Sequence, residues 1–101
     1  NAAEMKIPIY KTTGKLLGRT LMEVEAYYFN DFSCIYTLVP IDLGEIQVMV
    51  VNCLTGESWY DTFDSGLEAQ NILQISGESG IYKVTYLTIS GDMYLGSFII
   101  D

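Results

Sequence analysis

Apolar and polar residues alternate with a period of two along most of the chain, the spacing at which successive side chains of a β-strand point to opposite faces. About eight stretches rich in Val, Ile, Tyr, Phe and Thr recur with turn residues between them, which predicts many short antiparallel strands. Met5 to Tyr10 is the first, and Pro8 within it lacks a backbone donor, so this stretch belongs at a sheet edge. Thr12-Thr13-Gly14-Lys15 reads as a turn and Leu16 to Arg19 as a short strand or extended connector. From Met22 to Phe29, Val24, Ala26 and Tyr28 alternate with Glu23, Glu25 and Tyr27, so one side faces a core and the other carries charge.

Asn30-Asp31 tolerates positive φ and predicts a tight hairpin into Phe32 to Val39. There Phe32, Cys34, Tyr36 and Leu38 share one face, read as the core-facing one. Pro40 to Gly44 interrupts the pattern. Glu45 to Val51 then points Ile46, Val48 and Val50 one way and Glu45, Gln47 and Met49 the other. Asn52 to Gly56 forms a turn whose glycine suits a left-handed backbone, and Glu57 to Phe63 returns as the partner strand. Asp64-Ser65-Gly66 is a further turn, Leu67 to Ala69 can form one helical turn, and Asn71 to Ile75 is a short strand. Ser76 to Gly80 reads as the most flexible segment, after which Tyr82, Val84 and Tyr86 alternate with Lys83 and Thr85. Ser90-Gly91-Asp92 closes a hairpin into Met93 to Ile100. No stretch carries helical apolar spacing bounded by a cap, so the class is all-β.

Alternating faces are buried either in a sandwich or in a small closed barrel. The connections after Arg19, Val39 and Phe63 are longer than hairpin turns and can cross between sheets, which favours the sandwich. At 101 residues the chain makes one domain over 1–101, and half its residues are hydrophobic, so it can bury a continuous core.

Composition narrows the function. The net charge is −8, from 13 acidic and 5 basic residues, and four of the five (Lys6, Lys11, Lys15 and Arg19) fall in the first fifth while Lys83 stands alone. Such a chain is repelled by phosphates and by anionic lipid, which argues against nucleic acid and membrane surfaces as partners. No apolar run reaches the length of a membrane helix, and no basic-then-apolar signal peptide is visible in a chain that begins at Asn1.

Histidine is absent, which removes His-dependent triads and the commonest metal ligand. Neither a nucleophile elbow nor a phosphate-binding glycine loop occurs, since Gly77 to Gly80 leads into a strand. Two carboxylate groupings stand out: Glu23 with Glu25, which share a strand face at a separation compatible with glycoside hydrolysis, and Asp61 with Asp64 and Glu68, which bracket a loop able to offer oxygens to calcium. Their plainer reading is a charged strand face and a solvated turn. No cofactor or metal is expected. Cys34 is expected to be a buried free thiol in preference to bonding Cys53, which sits in a turn. Eight Tyr and one Trp exceed what a small core needs, and exposed rings stack on sugars or anchor protein partners. Tyr27, Phe29, Trp59 and Tyr60 are the candidate ligand-binding residues, although strand alternation requires either Trp59 or Tyr60 to face inward.

The second half, Val48-Met-Val-Val-Asn52, Gly56, Trp59-Tyr60, Gly80-Ile-Tyr82-Lys-Val84, Gly91 and Tyr94-Leu-Gly96-Ser-Phe98-Ile-Ile100, resembles the Bacteroidetes secreted family called domain of unknown function 3244. That family is similar in turn to small immunoglobulin-like modules at the C-termini of surface and secreted proteins of the same phylum. The first half fits as well, through Val24 to Tyr28, a tight turn, and Phe32 to Leu38. Trp59, where an aliphatic residue is commoner, and the two cysteines depart from it. The resemblance implies an immunoglobulin-like antiparallel β-sandwich of about seven to nine strands. It also implies a secreted or cell-envelope setting in gut-type bacteria, and brings no catalytic or binding residue with it. A non-enzymatic interaction or structural module follows as the expected function, with a carbohydrate-binding accessory module as the alternative.

Overall fold

The computed structural model describes residues 4–12 and 23–101. The turn expected at Thr12 to Lys15 and the segment from Leu16 to Arg19 lie largely or wholly outside those residues, as does Met22. Among the described residues there are nine strands and no helix: β1 Glu4–Ile7, β2 Ile9–Lys11, β3 Glu25–Phe29, β4 Cys34–Leu38, β5 Glu45–Asn52, β6 Ser58–Asp64, β7 Gln70–Gln74, β8 Gly80–Thr88 and β9 Met93–Ile100. All pairings are antiparallel, in a four-stranded sheet of order β1-β3-β4-β7 and a five-stranded sheet of order β2-β9-β8-β5-β6. The connections after Val39 and Phe63 do cross between the sheets, because β4 and β7 belong to one and β5 and β6 to the other.

Pro8 explains the start of the sandwich. With no amide to donate, it ends β1 at the edge of one sheet, and the chain resumes as β2 at the edge of the other. Gly96 lets β2 come close, since a Cβ there would stand 2.7 Å from the Pro8 carbonyl oxygen and 2.6 Å from Ile9 Cδ1.

The core lies between the sheets. Ile7, Val24, Ala26, Tyr28, Ile35, Val39, Leu73 and Ile75 meet Ile46, Val48, Val50, Tyr82, Val84, Tyr86, Tyr94 and Phe98. Four rings stack through it, Trp59 on Tyr82 at 6.2 Å between centroids, Tyr82 on Phe98 at 5.0 Å and Phe98 on Tyr28 at 5.1 Å. A hydrogen bond of 2.6 Å between the Thr37 and Tyr86 hydroxyls ties the sheets together inside this apolar layer.

Three local expectations change. The β3–β4 hairpin spans Asn30 to Ser33, with Phe32 in the turn and 68% exposed, and the positive φ of 49° falls on Ser33 instead of Asn30 or Asp31. A four-residue loop puts its left-handed residue at the end, where it realigns the returning strand. On β4 the inward residues are Ile35 and Thr37, so Cys34, Tyr36 and Leu38 take the outward parity. Ser76 to Gly80, expected to be flexible, is anchored: the Tyr82 hydroxyl donates to the Glu78 carbonyl at 2.5 Å, and Asn52 Nδ2 donates to the Ser79 carbonyl at 3.1 Å.

Candidate functional site

Parity and register decide which aromatic residues reach solvent. Trp59 lies on the inward parity of β6, half-buried against the core, while its neighbour Tyr60 points out and is 57% exposed. Tyr27 and Phe29 sit on the outward face of the four-stranded sheet. They gather around Tyr36, whose ring centroid lies 6.3 Å from Tyr27 at 40° and 6.1 Å from Phe29 in an edge-on arrangement of 86°. The four residues singled out from the sequence are therefore divided among three places: the core, and the outer face of each sheet. Tyr28, Tyr82, Tyr86 and Tyr94 are buried, so half of the tyrosines that looked surplus serve the core.

On the four-stranded sheet, cross-strand register sets Lys6, Tyr27, Tyr36 and Ile72 in one row and Glu4, Phe29, Cys34 and Gln74 in the next. The Tyr27 hydroxyl donates to Glu25 Oε1 at 2.9 Å, and this bond to an anion, with burial and the nearby Glu4 charge, raises the Tyr27 pKa. Cys34 is covered although it has outward parity, and burial raises its thiol pKa. It is a free thiol, as is Cys53, which is exposed in the turn after β5. With their rings crossed at 40° and 86°, Tyr27, Phe29 and Tyr36 form a packed wedge, not a flat platform.

The five-stranded sheet carries a broader feature. Register aligns Tyr10, Leu95, Thr85, Met49 and Tyr60 in one row across all five strands. Tyr10 is 67% and Met49 46% exposed, and Leu87, Met93, Val51, Ile81 and Ile99 flank the row on the same face. Lys83 stands next to the centre, and the carboxylates Glu45 and Asp64 meet at one corner. Sequence alternation marked Met49 as outward but missed the row. Its members come from positions far apart in the chain and are joined only by pairing.

The carboxylate groupings come apart. Glu23 lies outside β3 and turns to the far sheet, accepting a hydrogen bond from the Tyr94 hydroxyl and facing Lys11 Nζ at 3.8 Å, whereas Glu25 accepts from Tyr27 on the outer face. Burial, then the bond to Glu23, pushes the Tyr94 phenol pKa up. Asp61 accepts from Thr62 N at 2.8 Å and from Asn71 Nδ2 at 3.0 Å, and Asp64 accepts from Gly66 N at 2.9 Å. Among the described residues, no three His, Cys, Asp or Glu side chains converge on a point that could hold a metal. No helix of the described residues is long and apolar enough to cross a membrane.

Two antiparallel sheets face to face around one core, with the first strand shared between them, define an immunoglobulin-like β-sandwich. No family model matches the chain, and it is similar to none of the curated proteins. Among solved structures it is similar to the crystal structure of a DUF3244 family protein with an immunoglobulin-like β-sandwich fold from Bacteroides vulgatus, at a TM-score of 0.73 and 9% identity, over 97% of this chain and 99% of that one. That likeness shows the fold, as the sequence pattern predicted.

Proposed function

We propose that the chain is an exported, non-enzymatic interaction module, a divergent relative of the domain of unknown function 3244 proteins of Bacteroidetes, and that it binds through the outer face of its five-stranded sheet. The observation that carries this reading is the Tyr10, Leu95, Thr85, Met49, Tyr60 row, a largely apolar band crossing every strand of the sheet, with Tyr10, Met49 and Tyr60 exposed and Leu95 and Thr85 half-buried between them. Soluble monomers rarely expose contiguous apolar patches larger than a few hundred Å², and larger ones mark contact surfaces. The carboxylates support it from the other side, because Glu23, Glu25, Asp61 and Asp64 are taken up by internal hydrogen bonds.

The test is a comparison of retention. The chain and its Thr85→Arg variant are tethered to resin and exposed to envelope extract from the organism that encodes it. The reading expects at least one species held by the native chain and released by the variant; identical retention contradicts it.

Carbohydrate binding is the second reading, supported by the exposed rings of Tyr10 and Tyr60 and the half-exposed Tyr27 and Phe29. Flat sugar faces stack best on rings lying in one plane, which the crossed Tyr27, Phe29 and Tyr36 do not offer. Retardation on a polysaccharide panel that Tyr60→Ala or Tyr27→Ala abolishes would favour this reading, and no retardation would remove it.

A further inference from the structure

The outer face of the five-stranded sheet is nearly uncharged on a chain of net charge −8. Of the 13 acidic residues, the rows of this face carry Glu45 and Asp64, both at one corner, with Lys83 as the neighbouring cation. Five strands about 4.8 Å apart, three to nine residues long and averaging about seven at ~3.3 Å rise, give a footprint of roughly 550 Å². Two such faces together bury about 1,100 Å², just above the roughly 1,000 Å² that a specific interface needs.

The central row of the face can also be laid against itself. An isologous two-fold contact brings one patch against itself, so its pattern must match after rotation. A two-fold axis along the row Tyr10, Leu95, Thr85, Met49, Tyr60 sets each of these residues over its own counterpart, so the aromatic ends meet aromatic ends and the aliphatic positions meet aliphatic ones. Perpendicular to the row, the outward residues along β8 and just beyond it are Ile81, Lys83, Thr85, Leu87 and Ile89, so reversing this direction sets isoleucine against isoleucine at the ends and Lys83 against Leu87 between them.

We propose that this face pairs with the same face of a second copy of the chain, in an antiparallel two-fold dimer whose axis runs along the Tyr10–Leu95–Thr85–Met49–Tyr60 row. It rests on the reading of this face as the interaction surface and names its occupant. Rotation about that axis sets Ile81 over Ile89 of the other copy, Lys83 over Leu87, and Thr85 over Thr85. It keeps the two Lys83 positions about 13 Å apart along the strands, so the like charges do not meet. An axis along the strands would instead set Lys83 against Lys83. The remaining acidic residues stay off the interface, so the repulsion between two chains of charge −8 acts at a distance where salt screens it.

Sedimentation equilibrium over a range of concentration and salt tests this. A monomer–dimer equilibrium is expected that tightens as salt rises, whereas association through opposite charges would weaken. Thr85→Arg, which sets two guanidiniums against each other at the axis, should raise the dimer dissociation constant about tenfold or more, and Ile72→Arg on the opposite sheet should leave it unchanged. Circular dichroism checks that each variant folds; Tyr60→Ser, on an edge strand, serves if Thr85→Arg does not. A monomer at every concentration and salt overturns the proposal, as does a dimer indifferent to both variants of the face. If the chain is monomeric while resin retention still depends on Thr85, the interaction reading stands with a different occupant; if retention is indifferent too, both fall.

Discussion

Asn52 holds one end of the sandwich through a single buried amide. Fully buried, it accepts from the Leu54 and Thr55 amides with Oδ1 and donates to the Ser79 carbonyl with Nδ2, locking the β5–β6 turn to the loop that precedes β8. The turn needs Gly56, whose φ is 82°. Asn52→Ala should lower unfolding free energy by about 2 kcal/mol, read from the urea midpoint, because three hydrogen bonds lose their partner at once. Tyr86 is the corresponding residue at the centre. Burial raises its phenol pKa above the ordinary tyrosine value of about 10, outweighing the hydrogen bond to Thr37 that lowers it. Folding therefore favours the neutral phenol. The associated stability is complete below about pH 10 and is lost as pH climbs toward the folded-state value. Tyr86→Phe should cost about 1 kcal/mol at neutral pH, since Thr37 loses its partner, and should make the fall in stability above pH 10 shallower. Urea midpoints across the alkaline range check both.

Edges are the exposed weakness of an open sheet, and β6 has seven residues and no proline or lysine to guard it. The bonds from Asn52 N to the Glu57 carbonyl and from Ser65 N to the Gly44 carbonyl show that odd-numbered residues of β6 pair with β5. The amides of Ser58, Tyr60, Thr62 and Asp64 therefore point off the edge. Asp61 caps one of these, Thr62 N, with its own carboxylate. Asp61→Ala should remove that cap, an edge charge and the partner of Asn71 Nδ2, costing about 1 kcal/mol by the urea midpoint and speeding aggregation at high concentration, measured by light scattering. Legibility of the fold follows the same physics. β3, β5 and β8 were readable because polar residues alternate with apolar ones there. β4 was not, because Phe32, Cys34, Tyr36 and Leu38 look as apolar as Ile35, Thr37 and Val39. What turns Thr37 inward is its register opposite Ala26 and its bond to Tyr86, both contributed by distant segments.

At the scale of the molecule, the sandwich sorts its aromatic residues into a core stack, a packed wedge on one face and the two ends of an apolar row on the other. Alternation alone settled that Trp59 and Tyr60 must part company. Which outward residues share a surface was beyond it, since Tyr10, Leu95, Thr85, Met49 and Tyr60 become neighbours only when five strands find their register. On the proposed reading, the acidic residues repel copies at a distance and the nearly uncharged face makes the contact. Backbone amide chemical shifts, followed as the chain is concentrated from roughly 10 μM to roughly 1 mM, locate that contact directly, over the range in which a weak dimer forms. The account predicts concentration-dependent shifts at Tyr10, Leu95, Thr85, Met49 and Tyr60, with Tyr27, Phe29 and Tyr36 unmoved. Shifts confined to the four-stranded sheet, or none at all, would contradict it.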